Sequence, residues 1–491
     1  MAVVSGRYDV KLGLWPRLIY GFGAVAYGVK DNGFSYFLLL YYNQVLGVPA
    51  AQVAAAGFIA LCVDAISDPI VGTWSDRLHS RWGRRHPFMY AAALPVALTY
   101  FFFWNAPQDL SQEGTFLYLV VMAILVRTTV TFYEIPSTAM AAELTDHYDE
   151  RTKLFGYRYL FGWLGGLLIA ALAFGVFLVP TEKYPFGLLN VEGYHRYGLV
   201  AALLMLAGIA ASSVGTHRYI PLLMRAPPAL GFSPIRLIRE TFQSLATPSF
   251  LTLFGAAMFF AAAQGLTAAL AYYFSAYFWG LRADQILLFI YMYVISSALA
   301  FVIAPRASLR IGKRKAAIVI SILGFSLAPL SYTLRLLGLF PENGDPILLP
   351  LLLGMATVDV ALLIAAQILV ASMLADVVEE SELKTGRRAE GLFFAARTFV
   401  YKIVSGLGLF MSGIILTVVE FPAQAVPGQV PPEVLRNLAL VYAPTLFTLF
   451  AMSLVCLLFY RIDRDGHENN LARLRERAAA HADPPTPTPP N

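Results

Sequence analysis

Charge is scarce in this chain: Asp, Glu, Lys and Arg make up only 14% of 491 residues, where a soluble domain carries about a quarter. That shortfall argues against an ordinary soluble enzyme. The net charge of +5 gives no reason to expect nucleic acid as a partner, because the basic residues are scattered over many short loops. Cysteine is nearly absent. Cys62 and Cys456 both fall in apolar segments, which leaves no disulfide framework and no cysteine metal site. The signatures HExxH, GxSxG and GxxxxGK[ST] are missing, as is any pair of histidines at ligand spacing on one face. His79, His86, His147 and His195 read as solvated loop residues. The first dozen residues lack the charged start, apolar centre and small-residue cleavage site of a removable signal peptide.

What fills the chain instead is apolar: 58% of residues are hydrophobic, in runs of about 20 that are each long enough to cross a bilayer. Twelve spans are expected, near 14–44, 50–75, 87–106, 115–142, 154–180, 197–220, 249–280, 285–305, 315–337, 346–376, 390–420 and 438–460. An even number puts both termini on one side. With that side cytoplasmic, about 26 Lys and Arg fall in cytoplasmic segments and about 5 (Lys183, Arg196, Arg282, Arg335, Arg436) on the other. The positive-inside rule therefore places the termini in the cytoplasm. Lys30, Arg127, Arg158, Arg397 and Lys402 are the basic residues inside spans.

The segment 221–248 carries Ile235, Ile238, Phe242 and Leu245 at helical spacing, which reads as an interfacial amphipathic linker between two halves, 1–220 and 249–461. The tail 462–491 ends in DPPTPTPPN, too proline-rich to build a packed core. The halves echo one another. GTWSDRLHSRWGRR follows the second span and RASLRIGKRK the eighth, six helices later, which points to a transporter made of internal repeats.

A charge at the bilayer centre costs at least about 2.5–3.5 kcal/mol on insertion scales, so each one asks for a reason. Pairing for packing alone, or a position nearer the interface, is the plain alternative in every case. Asp64 and Asp68 lie four residues apart, on one helical face. Two adjacent carboxylates ionise together only beside a cation or a basic group, so they form a candidate site for an alkali cation or a proton. Pro69 follows and removes a backbone donor. In the fourth span Glu134 lies deep, with Thr131 three residues before it able to lend a neutral oxygen, and Pro136 just after. Arg158 and Lys402 lie in the fifth and eleventh spans. Asp64, Asp68 and Glu134 against Arg158 and Lys402 leave one negative charge, which one monovalent cation would cancel. Lys30, Asp31, Arg127, Asp359 and Arg397 stand outside that count.

The loop after the second span has two readings. Gly72 permits close helix approach, and Asp76, Arg77, Arg84 and Arg85 offer charged links between helix ends that hold one conformational state. The same charges also serve as a positive-inside anchor. Tyr41 and Tyr42 suit either a substrate cavity or the membrane interface.

Several motifs together resemble one family. YGFG at 20–23, YY at 41–42, DAISDPIVG at 64–72, RWGRRHP at 81–87, EIPSTAM at 134–140, ERTKLFGYR at 150–158, LADVVEESELKTGRRAEGLFF at 374–394 and TFVYK at 398–402 are similar, in the same order, to the glycoside–pentoside–hexuronide:cation symporters of the major facilitator superfamily. The resemblance implies an all-α membrane protein of twelve helices in two pseudo-symmetric six-helix bundles. It implies that Asp64, Asp68 and Thr131 hold the coupling cation, Na⁺ at the two aspartates with H⁺ as the rival. Substrate would be held near Glu134, Arg158 and Lys402, with Tyr42 as a further candidate. Some positions depart from the family's galactoside carriers: their helix-one aspartate falls on Gly28 with Asp31 close by, their helix-four tryptophan is Thr138, and Arg397 replaces an uncharged residue.

The expected function is cation-coupled symport of a glycoside, pentoside or hexuronide by alternating access. A lysophospholipid or other amphiphile is the alternative substrate, since a sodium-dependent lysophosphatidylcholine transporter is a wider relative, and an intramembrane lipid-modifying enzyme is the remote rival. The expected partners are a small molecule, a monovalent cation and the bilayer of a plasma membrane. No cofactor is expected, and the chain is expected to be monomeric.

Overall fold

The first apolar segment does not form one helix. In the computed structural model, which describes residues 12–145, 148–222, 248–385, 390–460 and 462, it runs as α1 (Leu14–Phe22), α2 (Val25–Asn32) and two wide π-helical turns, Gly33–Phe37 and Leu40–Val45. Such turns interrupt the regular ladder and are frequent where a helix carries function.

The first half continues with α3 (Ala50–Arg77), α4 (His86–Trp104), α5 (Gln112–Leu144), α6 (Tyr148–Leu172) and α7 (Val191–Thr216). The second half is α8 (Pro248–Tyr273), α9 (Ala283–Ile311), α10 (Lys313–Leu327), α11 (Leu330–Leu336), α12 (Leu348–Thr385), α13 (Glu390–Val418) and α14 (Pro432–Leu458). Among the described residues, 11 helices are long and apolar enough to cross a membrane. The broken path over 14–45 supplies the twelfth. No strand occurs among the described residues. The linker motif at 235–245 and the tail beyond 462 lie outside them.

By their contacts the residues divide into two compact units. The first holds Met1–Phe232 together with Gln264–Ile290 and Ser405–Leu438, and the second holds Ser233–Ala263, Tyr291–Val404 and Ala439–Asn491. In the first unit α3 packs on α5, α4 on α5 and α7, and α1 and α2 lie against α6 and α7. Side chains such as Ile66, Ile70 and Trp74 of α3 stay exposed, as expected where lipid is the solvent. The core of the second unit is built from Ala300, Ala304, Ala316, Ala317, Ala365 and Ala366, with Phe250, Met373 and Tyr460 filling around them. These small residues let α9, α10 and α12 approach closely without a hydrophobic driving force.

The internal repeat is visible in the backbone. The turns after Val45 and Phe278 both close on a glycine with positive φ, Gly47 (79°) and Gly280 (62°), just before α3 and α9 begin. The basic loops do the same at Gly83 (71°) and Gly312 (79°). A basic residue after each pairs with an acid on a later helix of its own half: Arg84 with Glu143 of α5 at 2.8 Å, and Lys313 with Asp376 of α12 at 2.7 Å.

At the end of the first unit opposite its Gly83 loop, a neutral network ties the π turns together. Gln44 donates to Asn43 Oδ1 (2.6 Å) and to Pro422 O (3.1 Å), and its own Oε1 accepts from Ala425 N (2.8 Å) and Tyr277 (3.2 Å). Tyr273 donates to Asn43 Oδ1 at 2.8 Å.

At the basic-loop end, Glu150 of α6 accepts from Lys153 at 2.9 Å and pairs with Arg17 at 2.6 Å. The Lys153 hydrogen bond, followed by the Arg17 charge, holds its carboxyl below the ordinary range. A depressed carboxylate adds stability that is full above its unfolded pKa and is lost as pH falls through the folded value. The Tm gap between wild type and Glu150→Gln should therefore be full above about pH 4.3 and close below it. A gap independent of pH would count against this clamp.

Candidate functional site

Proline shapes the site locally. Pro69 of α3 and Pro136 of α5 lie inside their helices, and each leaves a carbonyl one turn earlier without its usual donor. Side chains bond to the backbone around both breaks. Ser67 donates to Asp64 O (3.0 Å) and Thr73 to Pro69 O (2.8 Å) on α3, while Ser137 and Thr138 donate to Glu134 O (3.1 and 2.7 Å) on α5.

Across the α3–α5 contact, Asp64 and Thr131 are buried and Asp68 is half-buried. The Thr131 hydroxyl lies 2.9 Å from Asp64 Oδ1, 3.1 Å from Asp68 Oδ1 and 3.1 Å from Arg127 O. A hydroxyl carries one proton. It therefore satisfies only one of these three acceptors at a time.

Arg127 of α5 brings positive charge to Asp64. Its Nη1 lies 3.3 Å from Asp64 Oδ2, and its guanidinium carbon lies 4.5 Å from the centre of the Phe34 ring. The signal was present in the sequence, since Arg127 stands one turn before Thr131 on the same helix. With Arg127 counted, Asp64, Asp68 and Glu134 are matched in number by Arg127, Arg158 and Lys402, three acids and three bases, so neutrality by itself no longer calls for a cation.

A second cluster sits further along α5. Arg158 of α6 is buried and donates to Ser137 Oγ (3.0 Å) and Thr138 Oγ1 (2.7 Å). Its guanidinium lies 5.5 Å from the Tyr20 ring centre, and Tyr20 in turn donates to Ser137 O at 2.8 Å. Among the described residues no carboxylate lies within ion-pair distance of Arg158. Glu134 is half-buried on the same helix as its partners. Lys402 of α13 is half-buried and belongs to the second unit. The side chain of Arg397 lies outside the described residues.

Two expectations on the first segment change. Gly28, where the resemblance places an aspartate, is a helix crossing: a Cβ there would come within 1.8 Å of Gly162 O. Asp31 is instead the exposed acid of α2, with Lys30 buried beside it and lying 4.6 Å over the Tyr27 ring. Tyr42 is fully buried and donates to Phe103 O at 2.6 Å, and Tyr41 is likewise buried on Trp104 O at 3.1 Å.

The loop residues Asp76, Arg84 and Arg85 come together, but around an acid not anticipated. Arg84 and Arg85 both reach Glu143 Oε1, at 2.8 and 2.9 Å, and Arg85 also pairs with Asp76 and donates to Ser75 at 2.6 Å. Arg77 is exposed. A Cβ at Gly72 would meet Ile135 at 3.4 Å, an ordinary contact, so close approach does not require glycine there. His86 corrects the view of it as a solvated loop residue: it is fully buried and hydrogen-bonded to Thr216 Oγ1 at 3.0 Å. His195 lies within α7, half-buried, rather than in a loop.

Residues 19–464 match the family model described as MFS/sugar transport protein. The chain is 26% identical to an uncharacterized symporter of Synechocystis sp., over 95% of this chain and 97% of that one. It is 25% identical to the isoprimeverose transporter of Lactiplantibacillus pentosus, covering 91% and 88% of the two. The sodium-dependent lysophosphatidylcholine symporter 1 of Gallus gallus is also 25% identical, over 95% and 90%. Among solved structures, a bacterial homolog of the human lysosomal transporter Spinster superposes with a TM-score of 0.59 at 16% identity, covering 94% of this chain and 98% of that one.

Proposed function

The chain belongs to the MFS/sugar transport protein family, and from that premise we propose that it couples entry of a small organic solute to a monovalent cation held at Asp64, Asp68 and Thr131. The observation that carries this is the Thr131 hydroxyl, which sits within 3.1 Å of both carboxylates yet has one proton to give. Two carboxylates and a hydroxyl oxygen that converge in this way are hard oxygen ligands of the kind a monovalent cation, Na⁺ or H⁺, takes, and binding that favours the cation and the solute together is what coupling requires.

The substrate is a glycoside, pentoside or hexuronide. Arg158 supports this choice because, among the described residues, the hydrogen bonds of its guanidinium go to the hydroxyl oxygens of Ser137 and Thr138. Sugar hydroxyls, or the carboxylate of a hexuronide, can replace them as charge-assisted partners. Glu134 and Asp31 offer acceptors for further hydroxyls, and Lys402 a second cation. The isoprimeverose transporter favours this substrate class, and the lysophosphatidylcholine symporter supports a single-chain amphiphile as the second reading. The basic loops face the cytoplasm, the membrane is a plasma membrane, and the protein works as a monomer. An enzyme acting on lipid is disfavoured by the lack of any nucleophile motif.

Uptake in proteoliposomes tests the proposal directly. Labelled glycosides, pentosides, hexuronides and lysophosphatidylcholine are offered under an inward Na⁺ or H⁺ gradient. At least one should accumulate above its external concentration, and dissipating the gradient should abolish that. Equal uptake with and without gradients would sink coupling. Chemical change of the solute would favour the enzyme.

A further inference from the structure

Asp359 is the one ionisable side chain in the apolar span Leu348–Leu374 of α12, and neither the cation site nor the solute site uses it. It stands near the middle of that span, where an unpaired charge is costly. Leu352, Leu362, Leu363 and Ala366 share its helix face, seven residues before it and three, four and seven after, and all are buried. Val358, next to it, is exposed. Asp359 therefore belongs to the packed side of α12 and not to the side left to lipid. The residue is half-buried, and its Oδ1 is buried without a hydrogen-bond partner among the described residues.

The surrounding helices of the second unit bring little charge to that level. α10 packs along α12, with a Cβ at Gly324 coming within 3.3 Å of Leu362, and carries no ionisable side chain between Lys315 and Tyr332. α9 is joined to α12 by Ser296, which donates to Thr357 O at 3.0 Å. Between Asp284 and Arg306 it carries only Tyr291, which is exposed, and Tyr293, which is half-buried. α8 has no ionisable residue within 248–263, and α13 has Arg397, Tyr401 and Lys402 within 391–404. No base among the described residues forms an ion pair with Asp359.

The internal repeat gives the level its meaning. Asp376, which pairs with Lys313, corresponds to Glu143, which pairs with Arg84. Asp359 lies 17 residues before Asp376, and Val126, the neighbour of Arg127, lies 17 before Glu143. The two halves thus set an ionisable side chain at the same depth of equivalent helices. In the first half Arg127 meets Asp64 of α3. Tyr293 and Ser297 stand as far before Gly312 as Asp64 and Asp68 stand before Gly83, so α9 offers hydroxyls where α3 offers carboxylates.

We propose that Asp359 is a proton-binding site of the second half, a carboxylic acid that takes a proton in place of the counter-charge that a side chain supplies in the first. Ionised, it would leave a charged oxygen buried with no donor, and the proton removes that cost. The site is separate from Asp64 and Asp68, so pH acts on the second unit whichever ion the first one takes. The inference does not depend on the coupling reading, which fails by a different result, the absence of uptake under any ion gradient.

Thermal unfolding of the purified full chain between pH 5 and pH 8 tests it against Asp359→Asn, which copies the protonated acid. The unfolded chain releases this proton above about pH 3.9 and the folded chain keeps it. Wild type therefore loses stability relative to the variant as pH rises. The Tm gap should open in favour of Asp359→Asn by about 2 °C per pH unit. A gap that does not change with pH overturns the proposal, as does a variant that fails to fold. Infrared spectra at pH 7, with aspartate carrying ¹³C at its carboxyl, read the proton directly. The protonated-carboxyl band of labelled wild type should lose intensity in Asp359→Asn. An intensity unchanged by the substitution overturns the proposal.

Discussion

Asp68→Asn is expected to abolish gradient-driven uptake while the protein stays folded. Asp68 is half-buried and its Oδ1 sits 3.1 Å from the Thr131 hydroxyl. An asparagine oxygen can accept the same hydrogen bond, but it carries no charge to recruit a cation. Accumulation in proteoliposomes should fall to the level of passive equilibration, a loss of more than about tenfold, with Tm little changed. The matching change at Asp64 should behave differently. Asp64 is buried against Arg127, and removing one partner of a buried pair strands the other at a cost of about 3–5 kcal/mol. Asp64→Asn should thus lose stability as well as coupling. Retained accumulation in Asp68→Asn would move the coupling site elsewhere.

Gly28→Ala is expected to be the most damaging single methyl in the first unit. Its Cβ would sit 1.8 Å from Gly162 O and 3.0 Å from Gly166 N, both backbone atoms that cannot swing aside. Relief requires α2 and α6 to separate, and overpacking of this kind costs about 3 kcal/mol or more. Loss of folded protein, followed by size-exclusion profile and Tm, is the outcome to look for. A variant as stable as wild type would mean that the crossing yields easily. The same helix crossing leaves no space for an acidic side chain at Gly28.

The site was legible where its signal is local. Asp64 and Asp68 followed from helical spacing and from charge inside an apolar run, Thr131 joined them through the family resemblance, and the three do converge. Arg127 obeyed the same spacing and was passed over because a charge sum treats charges as a set, whereas geometry pairs them. His86 was misread for a different reason. Its neighbours Arg84, Arg85 and Pro87 look like a loop, and its burial depends on Thr216, 130 residues away. Glu143 likewise gained its meaning only once the ends of α3, α4 and α5 met. The spans themselves were found within a few residues. The breaks in the first segment were not, because π turns and α turns draw on the same apolar and aromatic residues.

Among the described residues, the Asn43–Gln44–Tyr273–Tyr277 network contains amides, phenols and backbone groups and no ionic side chain. A transmembrane voltage does work on charge, about 2.3 kcal/mol per unit charge per 100 mV. It does essentially none on neutral groups that merely exchange hydrogen bonds. Opening that end should therefore proceed at the same rate in an energised and a de-energised cell. Any dependence of turnover on membrane potential should originate at Arg127, Asp64, Asp68 and their neighbours, the charged groups proposed to hold the coupling cation.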